Sequence, residues 1–301
     1  MKHFNKALIS FIFIALFSFP IYSNEPIPFE YDQYGRILVP IEIGSDNIYP
    51  FLLDTASRRF SITDELLPQS HIKRHDHRTI RHMSSAGMYN LPLATLKQVS
   101  FGQNAREARI AAIFPKSRQI MGSAGFDAYH GYILHINPMH KQIELHANSG
   151  AFANADWQLI TGNPNQYGGL LLETTYKGHN LTVVLASGLS TSILDIQAAS
   201  ALFPNRVNKN HVLPGKEDGV VDLQMGLNQK RYLEKTIVLE DFSIKDWHLG
   251  NLSVAIRGLS TQNKTGYTNS MLLMLGADVL AKTEMAIDGR SHQLWISPNK
   301  N

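Results

Sequence analysis

The chain contains no cysteine. That excludes a thiol nucleophile, a thiolate metal site and disulfide exchange. A chain this long can hold its fold by burial, even in an oxidising compartment. An excess of charge is also lacking. The formal net charge is +3, but Lys2 and Lys6 lie at the extreme N-terminus; without them 26 basic side chains face 25 acidic ones. This near-neutral balance gives no electrostatic case for a nucleic-acid partner, and none is expected. Beyond the N-terminus there is no apolar run long enough to cross a membrane. There is no P-loop and no dinucleotide-binding glycine fingerprint. "GLSTS" (188–192) lacks the G-x-S-x-G spacing of a nucleophile elbow, and no His is placed by sequence to serve it. No cofactor and no metal are expected.

The N-terminus has a targeting pattern. Lys2, His3 and Lys6 precede the apolar segment "ALISFIFIALFSF" (7–19), Pro20 breaks it, and "IYS" (21–23) ends in a small residue. This predicts a signal peptide over 1–23, cleaved after Ser23, with a retained N-terminal anchor as the alternative. The expected location is outside the cytoplasm, periplasmic or secreted, with no stable membrane span once the leader is removed.

What is present is a plan written twice. "GRILVPIEIGSDNIYPFLLDT" (35–55) has Ile37, Val39, Ile41 and Ile43 at alternate positions, a turn at 44–47, and an apolar strand running into Asp54. "GLLLETTYKGHNLTVVLAS" (169–187) repeats strand, turn (177–180) and apolar strand, running into Ala186. The copies end alike. Gly125-Phe126-Asp127-Ala128-Tyr129 matches Gly276-Ala277-Asp278-Val279-Leu280, each followed by a hairpin pattern in which 141–145 matches 292–296. An insertion in the second copy falls around 203–219. The Gly-, Asn- and Pro-rich stretch 149–168 reads as a linker. The domains expected are therefore 24–148, 149–168 as linker, and 169–301. The chain reads as mostly β with few short helices, and 193–203 is the best helix candidate.

In register, Leu53-Asp54-Thr55-Ala56 lies over Leu185-Ala186-Ser187-Gly188. A buried strand ending in Asp-Thr-Gly/Ala, a small polar run, a return strand, and later an apolar-Gly segment resembles the retropepsin-like (clan AA type) aspartic peptidases in tandem two-lobe form. The resemblance covers nearly all of 35–298. It implies two β-barrel lobes, a pseudo-twofold monomer, a peptide or protein substrate, and peptide hydrolysis by two aspartates that share a proton. Two such groups about 3 Å apart cannot both ionise easily, so one serves as base and the other as acid. It implies Asp54 as the catalytic residue, with Thr55, Ala56, Ser187 and Gly188 supporting the two loops. It places a flap over 82–90, where an ordinary hairpin loop is the alternative.

Two departures stand out. Ala56 occupies a position where Gly is usual. Ala186 occupies the position of the second aspartate, so Asp54 would face a methyl group. Asp195 lies beyond the return strand and cannot substitute; Asp127 and Asp278 belong to the Gly segments as structural residues. Three outcomes follow: hydrolysis through Asp54 alone, a non-catalytic pseudopeptidase that binds extended peptide, or an intermolecular pair of Asp54 residues.

The run 71–82 places His71, His75, His77 and His82 with Asp76, which could suggest zinc. Lys73, Arg74, Arg78 and Arg81 interleave and would repel a cation. It reads as a solvated basic face whose histidines titrate together. Trp157, Trp247 and Trp295 read as packing residues.

Overall fold

The computed structural model describes residues 25–45, 47–84, 87–115, 120–153, 156–164, 169–208, 211–212, 220–223, 232–259 and 271–298. The expected leader lies outside them, as does most of the expected insertion. Among the described residues strand dominates, with three short α-helices and two 3-10 turns.

The alternation read at 37–43 is a strand. Ile37, Val39, Ile41 and Ile43 are buried while the residues between them are half-buried. It pairs antiparallel with Ile48–Leu53, whose last three residues are fully covered. In the second half Leu170–Tyr176 pairs with His179–Leu185. The two-residue loop between them, Lys177-Gly178, has positive φ at both positions. That backbone matches the strand twist and favours glycine.

Each half builds an eight-stranded sheet, and the two have the same strand order. The first runs Glu30–Tyr31, Ile37–Ile43, Ile48–Leu53, Gly122–Ala124, Phe60–Thr63, Asn104–Phe114, Gly87–Phe101, Ile72–Ser84. The second runs Asn163–Pro164, Leu170–Tyr176, His179–Leu185, Met271–Leu275, Ile193–Asp195, Trp247–Arg257, Tyr232–Ile244, Val220–Leu223. The pairing sense also repeats: third and fourth strands are parallel, fourth and fifth antiparallel, fifth and sixth parallel.

A third sheet joins the halves. It is six-stranded, in the order Ile27–Pro28, Gln142–His146, Ile133–Asn137, Met285–Asp288, Gln293–Ile296, Gln158–Thr161. Three strands come from each half, and the central antiparallel pair sets His135 opposite Ala286. A large apolar core runs through both halves and this sheet. Trp247 and Trp295 are buried, and Trp157 packs beside Phe152 and Trp295.

Two readings need correction. The stretch 149–168 is more than a linker. Gln158–Thr161 is an edge strand of the joining sheet, bonded to Gln293–Ile296, and Asn163–Pro164 opens the second eight-stranded sheet. They occupy the places that Ile27–Pro28 and Glu30–Tyr31 hold in the first half. Strands this short, set among Gly, Asn and Pro, leave no periodic trace. The helix read over 193–203 is shorter, at Ile196–Leu202. Ile193–Asp195 is strand, and Asp195 caps the helix by accepting from Gln197 N–H at 2.7 Å. The hairpin carrying the expected flap is present in the backbone as Ile72–Ser84 and Gly87–Phe101; its turn residues lie outside the described set.

Gly125 and Gly276 begin the matching short helices with nearly the same backbone, φ −90° and −93°. Neither is glycine because of φ. A Cβ on Gly125 would stand 2.6–2.8 Å from backbone atoms of Ser57 and Arg59, and one on Gly276 2.6–2.9 Å from Thr191 and Ser192. Gly125→Ala and Gly276→Ala should each lower stability by about 2–3 kcal/mol through overpacking. Gly258→Ala, whose Cβ would meet only Ile196 at 3.8 Å, should stay within about 0.5 kcal/mol. Denaturant midpoints measure all three.

Candidate functional site: two facing loops with one carboxylate

Both motif loops are built by the same three backbone bonds. Asp54 N–H donates to Ala124 O at 3.0 Å, and Ala186 N–H to Leu275 O at 2.8 Å. Ser57 N–H closes a turn on Asp54 O at 3.1 Å, and Leu189 N–H on Ala186 O at 2.9 Å. Phe126 N–H donates to Ser57 O, and Ala277 N–H to Leu189 O, both at 2.8 Å. Each loop thus leaves the end of a buried strand and is clamped by its own Gly segment.

The loops meet through a reciprocal set of hydrogen bonds. Thr55 N–H donates to Ser187 Oγ and Ser187 N–H to Thr55 Oγ1, each at 3.1 Å. The hydroxyls then donate across the junction: Thr55 Oγ1 to Leu185 O at 2.8 Å, Ser187 Oγ to Leu53 O at 2.7 Å. Both side chains are buried. Each hydroxyl accepts one bond and donates another, so the junction is satisfied without water. The structure therefore brings Asp54, Thr55, Ala56, Ala186, Ser187 and Gly188 together within one chain. The loops face each other within one chain, so a pair of Asp54 residues from two chains would require the second loop to leave the first.

Asp54 is the one carboxylate of the two loops. Its Oδ1 accepts from Ala56 N–H at 3.2 Å. Burial pushes its pKa up; the Ala56 and Ser57 N–H groups and the Arg36 guanidinium pull the other way without cancelling it. Arg36 is a residue the sequence reading missed. It is buried, pairs with Asp32 at 2.8 Å and donates to Gly188 O at 3.3 Å. It therefore carries positive charge to the carboxylate while holding the opposite loop. The signal was a turn: Asp32 Oδ1 accepts from Tyr34 and Arg36 N–H, both at 2.9 Å, as an Asp at a turn start tends to do.

Gly188 and Asp54 lie against each other. A Cβ on Gly188 would lie 2.8–3.1 Å from the Asp54 carboxyl atoms. A carboxylate in the first loop thus requires glycine in the second. Ala186 is 1% exposed in an apolar cluster with Val184, Leu189 and Ile193, and Ala56 packs against that cluster.

The remaining candidates have structural partners. Asp127 Oδ2 accepts from Phe60 N–H at 3.4 Å, and burial raises its pKa to about 6 against the pull of Arg109. Asp278 accepts from Ser192 N–H at 3.1 Å and Ser192 Oγ at 2.9 Å, its pKa also raised by burial. Each ties a Gly segment to a return strand. Asp195 is buried and accepts a second bond from Leu259 N–H at 2.9 Å. In the run 71–82, Lys73, Arg74, Asp76, His77, Arg78 and Arg81 are exposed on the strand Ile72–Ser84.

No protein-family model matches the chain, and no curated protein is similar to it.

Thr55→Val should cost about 2–4 kcal/mol, because Ser187 N–H and Leu185 C=O lose their partners inside the core. Ser187→Ala should cost a similar amount. The double variant should cost less than the two together by more than about 0.5 kcal/mol, since one network is broken twice. Additive losses would show that the loops do not share it.

Proposed function

We propose that the chain is a two-lobed, retropepsin-like protein whose peptide cleft keeps one of two catalytic carboxylates, and that it binds extended peptide without turning it over. The observation that carries this is the pairing of an intact Thr55–Ser187 junction with a methyl at 186. The two strand orders, repeated position for position around a joining sheet, support the lobe reading. The loop geometry supports Asp54 as the group that meets the ligand.

The chemistry runs as follows. Hydrolysis by an aspartate pair needs a base to take a proton from water while an acid protonates the carbonyl oxygen. Asp54 alone can hold one of these roles at a time. Its raised pKa favours the protonated form, a hydrogen-bond donor to a peptide carbonyl. Ala186, packed among apolar side chains, supplies no base. An extended peptide offers backbone groups for strand addition to a hairpin edge, and the hairpin 72–101 is the element assigned that role here. Export follows from the leader, and a monomer from the presence of both loops in one chain.

The second reading, slow hydrolysis through Asp54, is favoured by the same raised pKa. It would lack the transition-state stabilisation that a second carboxylate provides, a loss of several kcal/mol when one member of a catalytic unit is removed.

Incubating a denatured protein with the wild type and with Asp54→Asn at mildly acid pH separates the two. The expected result is no cleavage by either, and binding by the wild type of a peptide carrying a hydroxyl in place of the scissile carbonyl, weakened at least about tenfold by Asp54→Asn. Cleavage lost in the variant would establish the hydrolase instead. Ala186→Asp combined with Ala56→Gly, which restores the motif that the resemblance implies at both positions, should produce Asp54-dependent cleavage.

A further inference from the structure

The joining sheet carries a second polar cluster, away from the facing loops. His135 lies on Ile133–Asn137 directly opposite Glu144 on Gln142–His146. His146 follows Glu144 by two residues, so strand pleating puts it on the same face. One ligand-type atom from each of His135, Glu144 and His146 falls within 4.8 Å of the others. Glu144 Oε2 is 2.9 Å from His146 Nε2 and 3.7 Å from His135 Nδ1. His135 is 8% exposed. Its Nε2 faces Glu284 Oε1 at 3.1 Å, which also accepts from Asn137 Nδ2 at 3.1 Å. Its Nδ1 is buried and makes no hydrogen bond.

That arrangement has a specific consequence. The carboxylate of Glu284 holds the proton on Nε2, so the Nδ1 lone pair points toward another carboxylate. Two electron-rich atoms face each other across a short gap in a covered place, which a cation between them would stabilise. We propose that His135 Nδ1, Glu144 and His146 Nε2 form a binding site for a divalent transition-metal ion of the zinc class. Two imidazoles and one carboxylate suit that class and leave a fourth position for water. Glu284 orients His135 from behind, the arrangement that fixes the tautomer of a metal-bound histidine. Phe152 lies 5.0 Å from the His146 ring and 5.4 Å from His135, and Trp157 lies 5.5 Å from His135, giving an apolar cover. Because Glu284 belongs to the second half and the three ligands to the first, a bound ion would brace the joining sheet. The sequence showed no sign of this: His135 and Glu144 converge only through the hairpin register. The expectation that the chain holds no metal would then be wrong.

The rival arrangement is a doubly protonated His135 bridging Glu144 and Glu284 with no metal. Calorimetry of the full chain with Zn²⁺ alone, near neutral pH, decides between them. The expected result is one ion per chain, with affinity reduced at least about 100-fold in His146→Ala or Glu144→Gln and about 10- to 100-fold in Glu284→Gln. Zn²⁺ should raise the thermal midpoint of the wild type and not that of Glu144→Gln. Co²⁺ added to the wild type should give the visible bands of a four-coordinate ion, a readout that needs no variant to fold. Absence of stoichiometric binding would overturn the proposal. So would binding that survives Glu144→Gln but is lost in His75→Ala/His77→Ala, which would place the ion on the exposed basic strand.

Discussion

Two hydroxyls at the base of the facing loops, Thr55 and Ser187, hold the rest in place. Each accepts from the other's backbone and donates to a carbonyl at the end of the other's strand. This exchange satisfies polar groups that are closed off from water, and it fixes the separation of the two loops. The parallel strands beneath, the Gly segments that clamp the loops and the six-stranded joining sheet all converge on that separation. Buried polar networks of this kind are costly when incomplete and specific when complete.

With the loops fixed, the residue on each decides what the other can carry. The Asp54 carboxyl lies where a side chain at 188 would be, so position 188 is glycine. Position 56 has a methyl that packs against the apolar cluster holding Ala186. The two loops thus differ in kind, one holding a half-buried carboxylate and the other an apolar methyl.

Much of this was legible from residues alone. Alternation at 37–43, the turn at 177–180 and the doubled Gly segments are local signals, and the strands and turns sit where they were read. The Thr and Ser following each motif position were legible because the copies align without gaps there. What could not be read depended on contacts between distant segments. Gln158–Thr161 becomes a strand because Gln293–Ile296 offers it a ladder, not because its sequence alternates. Asp195 ends a strand and starts a helix at one residue, which blurred a single element into one longer helix. Arg36 reaches Gly188 from the other half of the chain, a contact visible only once the loops face each other. His135 and its neighbours lie outside any known short motif because their convergence is a matter of hairpin register.

The state of Asp54 tests the central claim most directly. Carboxyl-carbon NMR titration, assigned by difference from Asp54→Asn, would follow that one group through acid pH. The account predicts a single titration step displaced above the ordinary aspartate range, as burial without a second carboxylate requires. Two coupled steps would reveal a carboxylate partner. A value at or below the ordinary range would place Asp54 in solvent or under the control of Arg36. Either result would contradict the lone carboxyl raised by desolvation on which the reading rests.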